Sequence, residues 1–148
     1  SYVLSDLLAA LLYGQFKNSN KIQLKRRSIW ERYFVELSEW ALSHKVSLPF
    51  IPEHCEQTYH MFYLLLSEKK ERDNFISFLA DHDIAATFHY LPLDKSEMGL
   101  RIALNDQVQC PVSKRISDCI VRLPIFYDLE AAEQTRIINT IKSYGLES

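Results

Sequence analysis

The sequence predicts an α+β fold in a single domain: a small sheet covered on one face by helices. Three observations predict it. Short apolar runs at 60–66, 84–91 and 120–123 end at Ser67, Pro92 and Pro124, as strands bounded by turn signals do. Around them lie stretches whose apolar residues recur every three or four positions, the period of a helix with one buried face. The chain has 148 residues, 47% of them apolar, which is enough for one ordinary core.

Taken in order, Ser5 is suited to cap a first helix, with Asp6 well placed for the helix dipole. Leu7, Leu8, Leu11, Leu12 and Phe16 follow at helical spacing, and Lys17-Asn18-Ser19-Asn20 reads as a break. A longer helix is expected over 20–43. Ile22, Ile29, Tyr33, Leu37 and Trp40 form its stripe, widened by Trp30, Phe34 and Ala41. Such a helix needs a large surface to lie on. Residues 44–58, with Pro49 and Pro52, read as an extended connector. The first strand is 60–66. Ser67 then caps a helix over 68–82 that buries Phe75, Ile76 and Leu79. Asp83 stands where glycine usually closes a helix, and Asp tolerates the left-handed conformation moderately well. The second strand is 84–91, followed by a polar loop over 93–110 and a short helix over 112–119 opened by Pro111. The third strand is 120–123. Asp128 caps a last helix over 129–144 that turns Ile137, Ile138, Ile141 and Tyr144 inward and ends at Gly145.

Composition excludes several functions. Seventeen basic against nineteen acidic residues give a net charge of −2, so no global field draws the chain to nucleic acid or an anionic membrane. No apolar run reaches the roughly 20 residues that span a bilayer. Residues 1–12 lack a basic leader and carry Asp6, unlike a signal peptide. With three glycines, Gly14, Gly99 and Gly145, neither GxGxxG nor GxxxxGK[ST] can be written. Three cysteines make no disulfide framework, and a cytoplasmic location is the expectation.

Candidate chemistry is sparse. His54, Cys55 and His60 lack the paired spacing of zinc ligands, and Cys110 and Cys119 also stand outside any such motif, so no metal site is expected. The basic run Lys21, Lys25, Arg26, Arg27 and Arg32 reads as a solvated helix face, because its interleaved aromatics fall on the buried stripe. No GxSxG elbow exists to expose a nucleophile. The segment Thr87-Phe88-His89-Tyr90-Leu91-Pro92-Leu93 is the most informative: adjacent His and Tyr at a strand end, before a long loop, are placed to meet a ligand. On residue physics alone, His89 as a hydrogen-bonded structural histidine and Tyr90 as core is the stronger reading.

A resemblance adds to this. SYVLSDLLAALLYGQF resembles the YxxSDxxAAxxxxQ segment of the pyridoxal-phosphate (PLP)-dependent nucleotide-sugar aminotransferases. EHCEQTYHMFYLLL, ATFHYLPL and VRLPIFYDLEAAEQ resemble three further segments of that family, in the same order. The likeness runs along nearly the whole chain but matches only the C-terminal part of the family's proteins, which are more than twice this length.

The resemblance implies the C-terminal small domain of a type I PLP aminotransferase, a small, mainly antiparallel sheet covered by helices and preceded by long linking helices. Residues 1–43 are then linking helices that pack on a large domain, and 44–148 are the small domain. It implies transfer of an amino group from glutamate to the C4 ketone of a TDP-4-oxo-6-deoxyhexose, for enterobacterial common antigen or lipopolysaccharide synthesis. The large domain, with the lysine that anchors PLP, and a homodimeric partner are implied outside this chain. No catalytic residue is therefore expected here, and the chain alone is expected to be inactive. Ser1 matches the position, usually Asn, that reaches the partner's cofactor phosphate, and is the cofactor-binding expectation. His89 and Tyr90 match the family's HY pair and are the substrate-binding expectation. After Pro92-Leu93 the family often has His; this chain has Asp94, an acidic neighbour for a pyrophosphate. A reading of a different class is a non-catalytic remnant that serves as a protein-interaction module through its first helices.

Overall fold

The computed structural model describes residues 3–102 and 110–145. The elements run α1 (Asp6–Lys17), α2 (Ser19–Ser43), β1 (Phe62–Leu65), α3 (Lys69–Asp81), a 3-10 turn (Leu93–Lys95), α4 (Glu97–Ile102), α5 (Pro111–Cys119), β2 (Ile120–Leu123) and α6 (Ala131–Ser143). β1 and β2 pair antiparallel, with Phe62 opposite Leu123 and Leu65 opposite Ile120. Single antiparallel bridges extend this ribbon on both edges, Ser47 against Leu65 and Thr87 against Arg122.

The expected strand over 84–91 is therefore a correction. It contributes one rung, at Thr87, and no strand. The Ala86 N–H bonds the Ile84 carbonyl at 2.9 Å, a three-residue turn just before the rung. Beyond Thr87, the Tyr90 carbonyl accepts from Ser117 Oγ of α5 at 3.2 Å, which draws the chain off the β2 edge.

The core lies between α2, α3, α6 and one face of the sheet. Ile29, Trp30, Tyr33, Leu37, Trp40 and Ala41 of α2 join Phe62, Leu64, Phe75, Leu79, Val121 and Ile138 in one buried cluster. Rings interlock along it, with Trp30–Phe62 and Tyr33–Phe62 centroids both at 5.3 Å. Each large side chain so buried contributes about 1.5 to 3 kcal/mol. The surface that the α2 stripe requires thus lies within this chain. In α1, by contrast, no residue is buried.

Polar ties fix α2 on its neighbours. The Tyr33 hydroxyl donates to the Pro124 carbonyl at 3.0 Å. Gln134 Nε2 donates to the Ile29 carbonyl at 2.7 Å, and Arg32 donates to the Ala131 carbonyl and to Thr135 Oγ1. Burial pushes the Tyr33 hydroxyl well above the ordinary tyrosine range.

Helix ends show where capping departs from expectation. Ser5 caps α1 by accepting from the Leu8 N–H at 3.4 Å. The α3 cap is Glu68, not Ser67; Ser67 instead donates its N–H to Glu71 in the first turn. The α6 cap is Glu130, not Asp128, because Glu130 and Glu133 form a reciprocal capping box. Asp83 has a φ of 55°, as its place after α3 suggests, and Lys45 after α2 has 56°. At both ends the bonds are those of a Schellman motif: Val46 N–H to the Ala41 carbonyl, and Ile84 N–H to the Leu79 carbonyl, each at 2.9 Å.

Candidate functional site

The segment that leaves the sheet at Thr87 forms one wall of a cleft of about 450 Å³; the start of β2 and the inner face of α5 form the other. His89, Tyr90, Leu91 and Leu93 face Ser113, Ile116 and Ser117 across it. Pro92 forces the extended backbone that turns the chain into the 3-10 turn. Glycine is required just beyond. A Cβ on Gly99 would lie 1.8 Å from the Leu93 carbonyl oxygen, so α4 packs this closely on the turn only without a side chain there. Ser96 Oγ ties the two, donating to the Leu93 carbonyl at 2.8 Å and accepting from the Gly99 N–H at 2.9 Å. The expected polar loop over 93–110 is thus partly helical, and its residues 103–109 lie outside the described residues.

His89 and Tyr90 are brought together, ring centroids 4.8 Å apart. Tyr90 is 73% exposed, so the reading of it as core is corrected. His89 is half-buried, and its Nδ1 is enclosed with no hydrogen-bond partner among the described residues. Among the described residues, Nδ1 thus lacks the hydrogen bond that the reading as a structural histidine calls for. Asp94 sits beside the cleft with its carboxylate 3.6 Å from Lys95 Nζ, so its charge is offset locally.

Ser1, expected to reach the cofactor phosphate, lies outside the described residues. His60 Nδ1 bonds Thr58 Oγ1 at 2.6 Å, and Cys55 is exposed and free. Among the described residues no group of three His, Cys, Asp or Glu is placed to hold a metal ion. The basic run is a surface face: Arg27 pairs with Glu31 at 2.7 Å, and Arg32 reaches α6. Cys119 is buried, its thiol donating to the Ser67 carbonyl; burial and the Asp118 carboxylate push that thiol up. No described helix is long and apolar enough to cross a membrane.

One residue beside the site was not singled out from sequence. Arg72 of α3 is 5% exposed, with its guanidinium 5.1 Å over the Phe88 ring centroid and Nε 2.8 Å from Asp73 Oδ1. The Lys69 ammonium, 2.6 Å from Asp73, holds that carboxyl below the usual carboxylate range, so the pair stays ionised. The signal was present: Arg72 falls on the same helical stripe as Phe75, Ile76 and Leu79.

Comparison with known proteins places the chain in a family. The pattern of the DegT/DnrJ/EryC1/StrS aminotransferase family matches residues 1–142. The chain belongs to this aminotransferase family. A dTDP-3-amino-3,6-dideoxy-alpha-D-galactopyranose transaminase of Aneurinibacillus thermoaerophilus is 27% identical over 145 residues, 96% of this chain and 37% of its own length. A dTDP-3-amino-3,4,6-trideoxy-alpha-D-glucose transaminase of Micromonospora megalomicea subsp. nigra is 25% identical over 94% of this chain and 37% of its own. The chain thus spans little more than a third of these relatives. A putative sugar aminotransferase, Spr1654 of Streptococcus pneumoniae, superposes with a TM-score of 0.82 at 22% identity, over 95% of this chain and 35% of that one. That protein is known in apo, PMP and PLP forms.

The DegT/DnrJ/EryC1/StrS aminotransferases are PLP-dependent, which sets a test for the residues at hand. No lysine lines the His89–Tyr90 cleft, and no described lysine is buried. That cleft by itself therefore offers no amine to anchor PLP.

Proposed function

We propose that this chain is the substrate-facing C-terminal part of a sugar-nucleotide aminotransferase, with His89 and Tyr90 contacting the sugar nucleotide. The observation that carries this reading is the His89–Tyr90 pair at the wall of a largely apolar cleft, in a chain of this family. Tyr90 offers an exposed ring for stacking and a hydroxyl for hydrogen bonding. With Nδ1 of His89 enclosed, Nε2 is the nitrogen left to meet a sugar hydroxyl or phosphate. Leu91, Leu93 and Ile116 suit an apolar group such as a deoxy-sugar methyl, whereas no lysine or arginine lines the cleft to hold a pyrophosphate.

The reaction class is ketone-to-amine exchange, with glutamate as donor and a TDP-4-oxo-6-deoxyhexose as acceptor. The C4 ketone follows from the family resemblance of the sequence segments; the two relatives above carry 3-amino names. The product would enter surface polysaccharide, either enterobacterial common antigen or lipopolysaccharide, by cytoplasmic synthesis; the unpaired cysteines suit that compartment. PLP, when bound by the complete protein, supplies the electron sink. A large domain bearing the lysine, and a second protomer completing a homodimeric site near Ser1, are the proposed partners. The exposed apolar face of α1, including Leu7, Leu11 and Phe16, supports docking of α1 on such a domain, whereas the α2 stripe packs on this chain's own core. The same face favours the second reading, an interaction module without catalysis.

The test is an assay of the polypeptide that carries this chain, with glutamate, PLP and TDP-4-oxo-6-deoxyglucose, read by mass spectrometry of the sugar product. Formation of a 4-amino sugar supports the reading. A 3-amino product from a 3-oxo isomer alone corrects the position, and no amine from either supports the interaction module.

A further inference from the structure

We propose that Arg72 is a positioning residue whose buried guanidinium clamps the Phe88 ring and so sets the orientation of the adjacent His89–Tyr90 pair toward the cleft. The inference rests on the substrate-site reading above. It starts from an imbalance. Arg72 occupies an inward position of α3 where an apolar residue would serve packing, and neither its Nε nor its Nη1 has a hydrogen-bond acceptor among the described residues. A buried cation incompletely paired is poorly explained by stability alone.

What the guanidinium does touch is specific. Asp73 offsets its charge from 2.8 Å at Nε without a hydrogen bond, and Phe88, itself 44% exposed, covers the face. Phe88 lies between the Thr87 rung and His89. The backbone of 88–91 belongs to no strand or helix. The Thr87 rung holds the segment at one end, and the Ser117 bond to the Tyr90 carbonyl holds it at the other. The Arg72–Phe88 contact is the tie between them. A planar cation meets a ring face with directional preference, so this tie fixes rotation as well as distance.

The experiment uses the full polypeptide that carries this chain and TDP-glucose as probe. Arg72→Met and Phe88→Leu are each expected to weaken TDP-glucose binding about tenfold, and the double variant no more than either alone. Arg72→Lys, which keeps the charge but not the plane, should recover only part of the loss. Amide exchange at Thr87 and Arg122 should quicken in Arg72→Met while exchange at Leu64 and Val121 stays as in the parent, a split that general destabilisation would not give. Additive losses, or equal quickening at all four amides, would overturn the proposal. Phe88→Leu keeps the test open if Arg72→Met does not fold. Tyr90→Ala separates the two claims. If it leaves TDP-glucose binding intact, the substrate-site reading fails, while the exchange measurement still decides whether Arg72 holds the segment.

Discussion

Thr87 and Arg122 exchange both backbone hydrogen bonds, Thr87 N–H to the Arg122 carbonyl at 3.2 Å and Arg122 N–H to the Thr87 carbonyl at 2.7 Å. In an antiparallel ladder a residue's N–H and C=O point the same way, so Arg122 turns both away from Tyr63, its partner on β1. This rung ties the His89–Tyr90 segment to the sheet. Thr87→Pro removes its donor and is expected to cost about 1 kcal/mol. Urea unfolding reads the cost, and faster exchange of the Arg122 amide shows that it arises at this rung.

Tyr33 carries a prediction in pH. Its hydroxyl is raised in the folded state, so the neutral form is favoured there over the unfolded chain. That contribution is fully present below the ordinary tyrosine value near 10. It is lost as pH rises from there toward the folded value, by up to about 1.4 kcal/mol per pH unit. Tyr33→Phe should be less stable at neutral pH by about 1 to 3 kcal/mol, because the Pro124 carbonyl loses its donor. The gap between parent and variant in urea melts should then narrow above pH 10; a constant gap contradicts the assignment.

Lys45 and Asp83 sit in left-handed backbone at the ends of α2 and α3. Lys45→Gly and Asp83→Gly remove a Cβ penalty without touching the Schellman bonds. Each is expected to raise stability by about 0.5 to 1 kcal/mol, with the smaller gain at Asp83 since Asp tolerates this conformation better. Thermal melts of the two single variants check this.

Gly99 is predicted to be intolerant for a different reason. Gly99→Ala places a methyl against the Leu93 carbonyl and forces α4 off the 3-10 turn. A cost of about 1 to 3 kcal/mol is expected, with displaced amide resonances at Leu93 and Ser96. Unchanged spectra there would show that the close approach does not exist in solution.

Much of the fold is legible in the sequence because its signals are local. The break at Asn18, the long α2, the 120–123 strand and the left-handed Asp83 each follow from periodicity or a neighbouring breaker residue. The 84–91 stretch has the apolar run of a strand, but beyond the Thr87 rung it follows Arg72 and Ser117, which are distant in sequence. The two displaced caps, Glu68 and Glu130, lie within two residues of better intrinsic cappers, and in each case a Glu in the first helical turn decides the bonding. His89 and Tyr90 are legible as a pair; the place of Arg72 on the apolar stripe is legible too, but its contact with Phe88 is not, because it joins residues distant in sequence.

The most direct test of the central claim separates the two halves of the reaction in the polypeptide that carries this chain. Release of 2-oxoglutarate from glutamate, without sugar present, reads the donor half; amine formation on the TDP-4-oxo-sugar reads the acceptor half. The account predicts that His89→Ala and Tyr90→Phe leave the donor half near the parent level and raise KM for the sugar nucleotide about tenfold or more. Equal loss in both halves, or no change in either, would contradict it.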